Sequence, residues 1–209
     1  MKTLSLKTQV DFRLISGRFN DLIIRQKISN TFLLFLFCRM FAQAQNFYAT
    51  SNGETTFFSE TPVEDITAVN KMGQAILNIV TNDIVVQMNM KQFDFPNKLM
   101  QEHFNENYIE SDKYPKSVFK GKINEKIDFT KNGTYDVSAT GDFSLHGVTK
   151  ARTLKGKLEI KDKAFTFTTD LEVALSDHKI DVPQLVFVKV AQIIKVKNRY
   201  TLTPYIAKK

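Results

Sequence analysis

Between Tyr135 and Leu145 apolar and polar side chains alternate without a break. Tyr135, Val137, Ala139, Gly141, Phe143 and Leu145 fall on one parity, and Asp136, Ser138, Thr140, Asp142, Ser144 and then His146 on the other. A period of two puts the first set on one face of a β-strand, whereas a helix would scatter it around the axis. So long a strand coils with the twist of sheets, and Gly141 in its interior is the place for a bend. Asn132-Gly133 ahead of it reads as a hairpin turn, and Gly147 ends it.

The rest of the chain repeats this pattern. Phe47–Ala49 and Thr55–Phe58 flank Asn52-Gly53 and read as a hairpin, and Ile84, Val86, Met88 and Met90 form one face of a further strand. Ser117–Ile123, Leu154–Ile160, Phe165–Leu175, Val186–Val196 and Tyr200–Tyr205 read as strands too, with Lys161–Lys163 as a turn. Two helices interrupt the series. Thr61-Pro62-Val63-Glu64 combines a capping residue, a proline at the first helical position and an early acid, which predicts a helix over Pro62–Met72. Asn97–Tyr108 predicts a second, gathering Leu99, Met100, His103 and Phe104. About eight strands joined mostly by tight turns are antiparallel, and long one-faced strands close into an up-and-down barrel. Its interior is either filled by side chains or holds one small ligand. The expected fold is thus all-β: an eight-stranded antiparallel barrel with one or two short inserted helices, occupying 45–209.

Residues 1–44 read as a secretory signal peptide. Thr31–Phe37 is a short apolar run behind Arg25 and Lys27, and Ala42-Gln43-Ala44 has the small-x-small form of a signal-peptidase site. The run is far shorter than the roughly 20 residues that cross a bilayer, so no stable transmembrane segment is expected after its removal. The only cysteine, Cys38, lies within it, which leaves no intramolecular disulfide in the barrel. The segment also holds seven basic and two acidic side chains, or +5 of the formal +7. Without it the chain is nearly neutral, and the charge argument for a nucleic-acid partner disappears.

No motif announces chemistry. His103, His146 and His178 stand in three separate segments without a cysteine or a His-x-x-x-His spacing, so no metal site is encoded. In Gly141-Asp-Phe-Ser-Leu-His-Gly147 the glycines lie three residues from Ser144 on each side, and the segment reads as strand, which is not the nucleophile elbow. Glu102, Glu106, Glu110 and Asp112 read as a wet helix face rather than an acid/base pair. Neither a catalytic residue nor a cofactor is expected. The chain has 18 Phe, 6 Tyr and no Trp, and inward Phe119, Phe143, Phe165 and Phe167 beside small Ala139 and Gly141 leave room as well as lining. That combination favours a cavity for an elongated apolar molecule.

Three stretches, in order, carry a resemblance: Thr56-Phe57-Phe58-Ser59-Glu60-Thr61-Pro62-Val63-Glu64-Asp65-Ile66, then Met100 to Phe119, then Gly141-Asp-Phe-Ser-Leu-His-Gly-Val-Thr-Lys150. They resemble the YceI-like family, in the form common in Gram-negative Bacteroidota. The resemblance implies a lipocalin-like barrel that holds a polyisoprenoid lipid in its lumen, a periplasmic location and homodimers. At Gln101-Glu102-His103-Phe104 the sequence departs from the Arg-Asp-x-His-Leu pattern of many members, so no arginine contact to a head group carries over. The tail of such an apolar isoprenoid-like lipid would lie along Val86, Met88, Met90, Phe119, Tyr135, Val137, Phe143, Phe167 and Val173, with its polar end at the barrel mouth near His103 or a lysine. Burial worth about 0.8 kcal/mol per CH₂, before ordering costs, would drive binding. The competing expectation is a filled barrel acting as a structural or partner-binding envelope protein.

Overall fold

Eight strands follow one another around a closed barrel in a computed structural model, which describes residues 46–182 and 190–205. They are β1 (Phe47–Glu60), β2 (Asp65–Asn78), β3 (Asp83–Asn89), β4 (Lys116–Ile123), β5 (Gly133–Leu145), β6 (Val148–Lys161), β7 (Ala164–Ala174) and β8 (Ile193–Pro204). Each pairs antiparallel with its neighbours in sequence, and β1 pairs with β8. The segment read as a signal peptide, together with Val186 and Val188, lies outside the described residues.

Antiparallel order assigns the connections to two ends. The links 79–82, 124–132 and 162–163 gather at the lower end; 61–64, 90–115, 146–147 and the described parts of the β7–β8 connection, 175–182 and 190–192, gather at the upper. The insertion between β3 and β4 begins with a 3₁₀ turn, Met90–Gln92, and holds α1 (Lys98–His103), which continues as a π-helical turn over Phe104–Tyr108. The Asn97 side chain caps α1 by accepting from the Leu99 N–H. The helix expected over Asn97–Tyr108 is therefore present, in two helical forms.

The helix expected over Pro62–Met72 is not: β2 begins at Asp65. The capping signal is used, since Thr61 Oγ1 accepts from Glu64 N at 3.0 Å, but it closes a turn between β1 and β2. Ile66, Ala68 and Asn70 then alternate inward, and pairing with β1 outweighs local helix preference. The hairpin expected at Asn52-Gly53 is also absent, because β1 runs straight through it. Register shifts fall on both sides of the Gly53–Gly73 pair, which marks compensating bulges in β1 and β2. A Cβ on Gly53 would lie 2.1 Å from the Tyr200 ring, and one on Gly73 2.2 Å from its hydroxyl. The two glycines make the slot in which Tyr200 lies. At Gly141 the ladders to β4 and β6 continue without a shift; a Cβ there would sit 2.1 Å from the Lys120 carbonyl oxygen. The residue lets two backbones approach rather than making a bulge. Val196 and Tyr200, expected in two strands, share β8, and Leu175 starts a 3₁₀ turn, Leu175–His178.

The lower end is packed solid. Phe165, Leu77, Leu158 and Leu202 are fully buried, Tyr48 stacks on Phe165 with ring centroids 4.0 Å apart, and Phe129 closes on Phe165 at 5.2 Å.

Candidate ligand-binding cavity

Above this plug the inward faces do not meet, and a cavity of about 480 Å³ remains. That size falls within the range of small-molecule sites. Of the residues expected along a ligand, Val86, Met88, Phe119, Val137, Phe143, Phe167 and Val173 line it from the strands, Met90 from the 3₁₀ turn after β3, and His103 from the exposed end of α1. Tyr135 does not. It shares the inward parity of β5 but sits beside Gly133 at the lower end, half-buried against the plug, with its hydroxyl donating to the Lys131 carbonyl at 3.3 Å.

Sequence reasoning missed an aromatic group at the upper end. Phe57 lies 5.3 Å from Phe93, 5.5 Å from Phe95 and 5.5 Å from Phe104 between ring centroids, and all four rings line the cavity. They come from β1, the start of the β3–β4 insertion and the π-helical turn. The Phe93-x-Phe95 alternation was a signal, since it is the local pattern of an extended segment with one apolar face. Asp94 between them exchanges two backbone hydrogen bonds with Val69, at 3.1 and 2.9 Å, so this segment pairs with β2.

The polar groups on the wall are turned to one another. Thr55 Oγ1 donates to Asn198 Oδ1 at 2.7 Å and lies 2.9 Å from the Tyr200 hydroxyl, while Asn198 Nδ2 donates to Thr169 Oγ1 at 3.0 Å. Ser59 Oγ accepts from the Ala191 N–H at 2.8 Å, and Ser117 Oγ donates to the Ser144 carbonyl at 3.3 Å. Burial pushes the Tyr200 phenol above its ordinary pKa, with the Thr55 contact opposing it. A string of polar groups already satisfied by its neighbours asks nothing of a ligand and presents a largely apolar surface. Among the described residues no cluster of three or more His, Cys, Asp or Glu side chains is placed to hold a metal.

A family profile described as the YceI-like domain matches residues 39–202. The chain belongs to the YceI-like family. Among solved structures it is similar to a polyisoprenoid binding domain from Saccharophagus degradans implicated in plant cell wall breakdown, with 10% identity over 77% of this chain and 99% of that one, and a TM-score of 0.63. It is similar too to BcnA of Burkholderia cenocepacia, with 13% identity, 72% and 96% coverage and a TM-score of 0.61. The YceI protein of Campylobacter jejuni follows, with 16% identity, 76% and 86% coverage and a TM-score of 0.50. At these identities the likeness is one of fold. No curated protein sequence matches the chain.

In this YceI-like barrel the Leu-His-Gly-Val segment forms the upper β5–β6 turn. His146 (φ 49°) and Gly147 (φ 71°) both take the left-handed conformation that a two-residue hairpin turn of type I′ requires. From there the His146 ring reaches two other segments: Nδ1 lies 3.0 Å from the His178 carbonyl oxygen and Nε2 2.9 Å from Glu110 Oε2, with Tyr114 packed edge-on at 4.5 Å. It is a tie between three connections at the upper rim, more than a polar strand end. Ser144 pairs its hydroxyl with Thr149 Oγ1 at 2.7 Å and has no histidine partner. His178 is completely buried; its Nδ1 faces the carbonyls of Leu145 and Val148 at 3.3 Å each, and burial pushes its pKa down. Asp177 beside it accepts from Lys150 Nζ at 2.7 Å, a contact that with Arg152 holds its carboxyl below the ordinary range.

Proposed function

We propose that this YceI-like protein is a non-catalytic binding or carrier protein that holds an apolar isoprenoid-type lipid in its lumen, and that residues 1–44 direct it to the periplasm. The observation that carries the reading is the cavity of about 480 Å³ behind a filled lower end. A closed floor, an apolar wall and self-satisfied polar groups suit a tail inserted from above or from the side, where each buried CH₂ contributes about 0.8 kcal/mol before ordering costs. The solved relative described as a polyisoprenoid binding domain points to the same ligand class. Val86, Met88, Met90, Phe119, Val137, Phe143, Phe167 and Val173 would contact the tail, and His103 would stand near its polar end.

The outer face supports an aqueous carrier. Thr149, Thr153, Lys155, Lys157, Glu159 and Lys161 point outward along β6, unlike the apolar belt of a barrel that spans a membrane. Among the described residues no helix is long and apolar enough to cross one.

Protein recovered from its own periplasm should yield an isoprenoid on solvent extraction and mass spectrometry, and the same mass should leave the barrel in native mass spectrometry. Recovery from the cytoplasmic fraction at full length would refute the export, and an empty barrel that takes up no isoprenoid alcohol would refute the ligand.

A further inference from the structure

Around the barrel the ladders are not equally long. β5 and β6 stay paired from Gly133–Ile160 to Leu145–Val148, and β7 and β8 from Phe165–Leu202 to Ala174–Ile193. Between β6 and β7 the ladder stops at Gly156–Thr169. Above that point β6 follows β5 and β7 follows β8, so the wall forks. A second shortfall, between β2 and β3, is closed: Val69 pairs with Asp94 across it, and the Asn70 side chain donates to the Asn89 carbonyl at 2.9 Å. At the β6–β7 fork no backbone bridge of this kind occurs among the described residues.

At the fork an open depression of about 570 Å³ lies against the lumen, with Leu154, Leu171 and Val196 lining both and standing between them. One side chain spans it. Arg152 lies on the inward parity of β6, below Lys150 and above Leu154, and its Nη1 donates to the Glu172 carbonyl of β7 at 3.2 Å. Its Nη2 lies 3.5 Å from Asp177 Oδ2.

We propose that the fork is a side entrance through which an apolar ligand reaches and leaves the cavity, and that Arg152 is the latch across it. The inference rests on the ligand-binding reading above. A chain sliding between Leu154 and Leu171 keeps apolar contact on both sides. Opening there breaks the side-chain contacts of Arg152 and, above them, the Lys150–Asp177 pair, but no backbone ladder. The upper mouth, by contrast, is occupied by α1 and the four phenylalanine rings, whose removal would expose apolar surface to water.

The test measures exchange rates. In a Cys38→Ser background no other cysteine is present. Thr153→Cys with Glu172→Cys, bridged by a bis-maleimide, pins the fork; Val63→Cys with Leu99→Cys, bridged in the same way, pins the upper mouth. Uptake and release of all-trans-retinol and of dansyl-farnesylamine are followed by stopped-flow fluorescence. Bridging the fork should slow both rates by about ten-fold or more with Kd nearly unchanged, as expected for a gate rather than a contact. Bridging the mouth should leave them alone. Arg152→Ala should speed both rates, and Arg152→Lys should speed them less. Unchanged rates with a bridged fork, or slowing only with a bridged mouth, would overturn the entrance while leaving the ligand reading intact. If the unbridged protein takes up neither probe and carries no native isoprenoid, both readings fall together.

Discussion

The two ends of the barrel are both rich in aromatic rings and do opposite things with them. At the lower end Tyr48, Phe129 and Phe165 meet, with ring centroids 4.0 and 5.2 Å apart, and shut the floor together with Leu77, Leu158 and Leu202. At the upper end Phe57, Phe93, Phe95 and Phe104 touch one another at 5.0–5.7 Å but stand around an open space. Apolar parity is the same in both halves. What differs is whether residues from opposite walls reach each other, which depends on side-chain volume summed around the ring of strands. The lower rings close the lumen on themselves, whereas the upper ones belong to a core that packs around the cavity.

That contrast can be broken by substitution. The largest effect is expected for Phe165→Ala, which should cost about 3–5 kcal/mol in chemical denaturation, whereas Phe57→Ala, whose ring already borders a void, should cost less than about 2 kcal/mol. Equal losses would mean that the upper half is as tightly packed as the lower. Next is Gly53→Ala, whose methyl group would meet the Tyr200 ring; about 1–3 kcal/mol should be lost, and a double-mutant cycle with Tyr200→Ala should show strong coupling. Additive losses would detach the glycine slot from Tyr200.

Ala139→Phe should do the reverse of Phe165→Ala. It grows a side chain into the cavity, so unfolding should change by no more than about 1 kcal/mol while isoprenoid affinity falls more than about ten-fold, or 1.4 kcal/mol. Retained affinity would move the ligand away from β5. The smallest effect concerns His178. Burial depresses its pKa, so the folded state keeps it neutral while the unfolded chain takes up a proton below about 6.5. The stability this neutral form supplies is complete above that value and is lost as pH falls from there toward the lower folded pKa, with a slope of at most about 1.4 kcal/mol per pH unit. Denaturation at several pH values should show that part of the slope vanishing in His178→Leu; an unchanged slope would assign it to other groups.

How much of this was legible in the sequence follows from how local each signal is. β5, β3 and the alternating part of β7 could be read because inside and outside alternate within one segment. β2 could not, because its first residues carry a true capping signal and only the ladder to β1 tells the chain to extend. β1 looked like a hairpin because Asn52-Gly53 is a good turn dipeptide, and the reason for Gly53 sits on β8, at Tyr200. The site divides likewise. Parity identifies which residues face inward, and nine of the ten expected side chains line the cavity. It does not say how far along the axis each one lies, which is why Tyr135 belongs to the floor. The fork was invisible, since a missing ladder leaves no mark on either strand.

The pairing of β1 with β8, from Tyr48–Pro204 to Phe58–Lys195, joins the first strand of the barrel to the last. During synthesis or translocation from the N-terminus every other ladder can form between neighbours as they emerge, but this one must await the final residues and carries the full loop-closure entropy of the chain between them. Whatever the order of the other ladders, the lumen is a closed container only once this one has formed, so the contact between the two ends of the barrel sequence and the existence of an inside are one and the same thing.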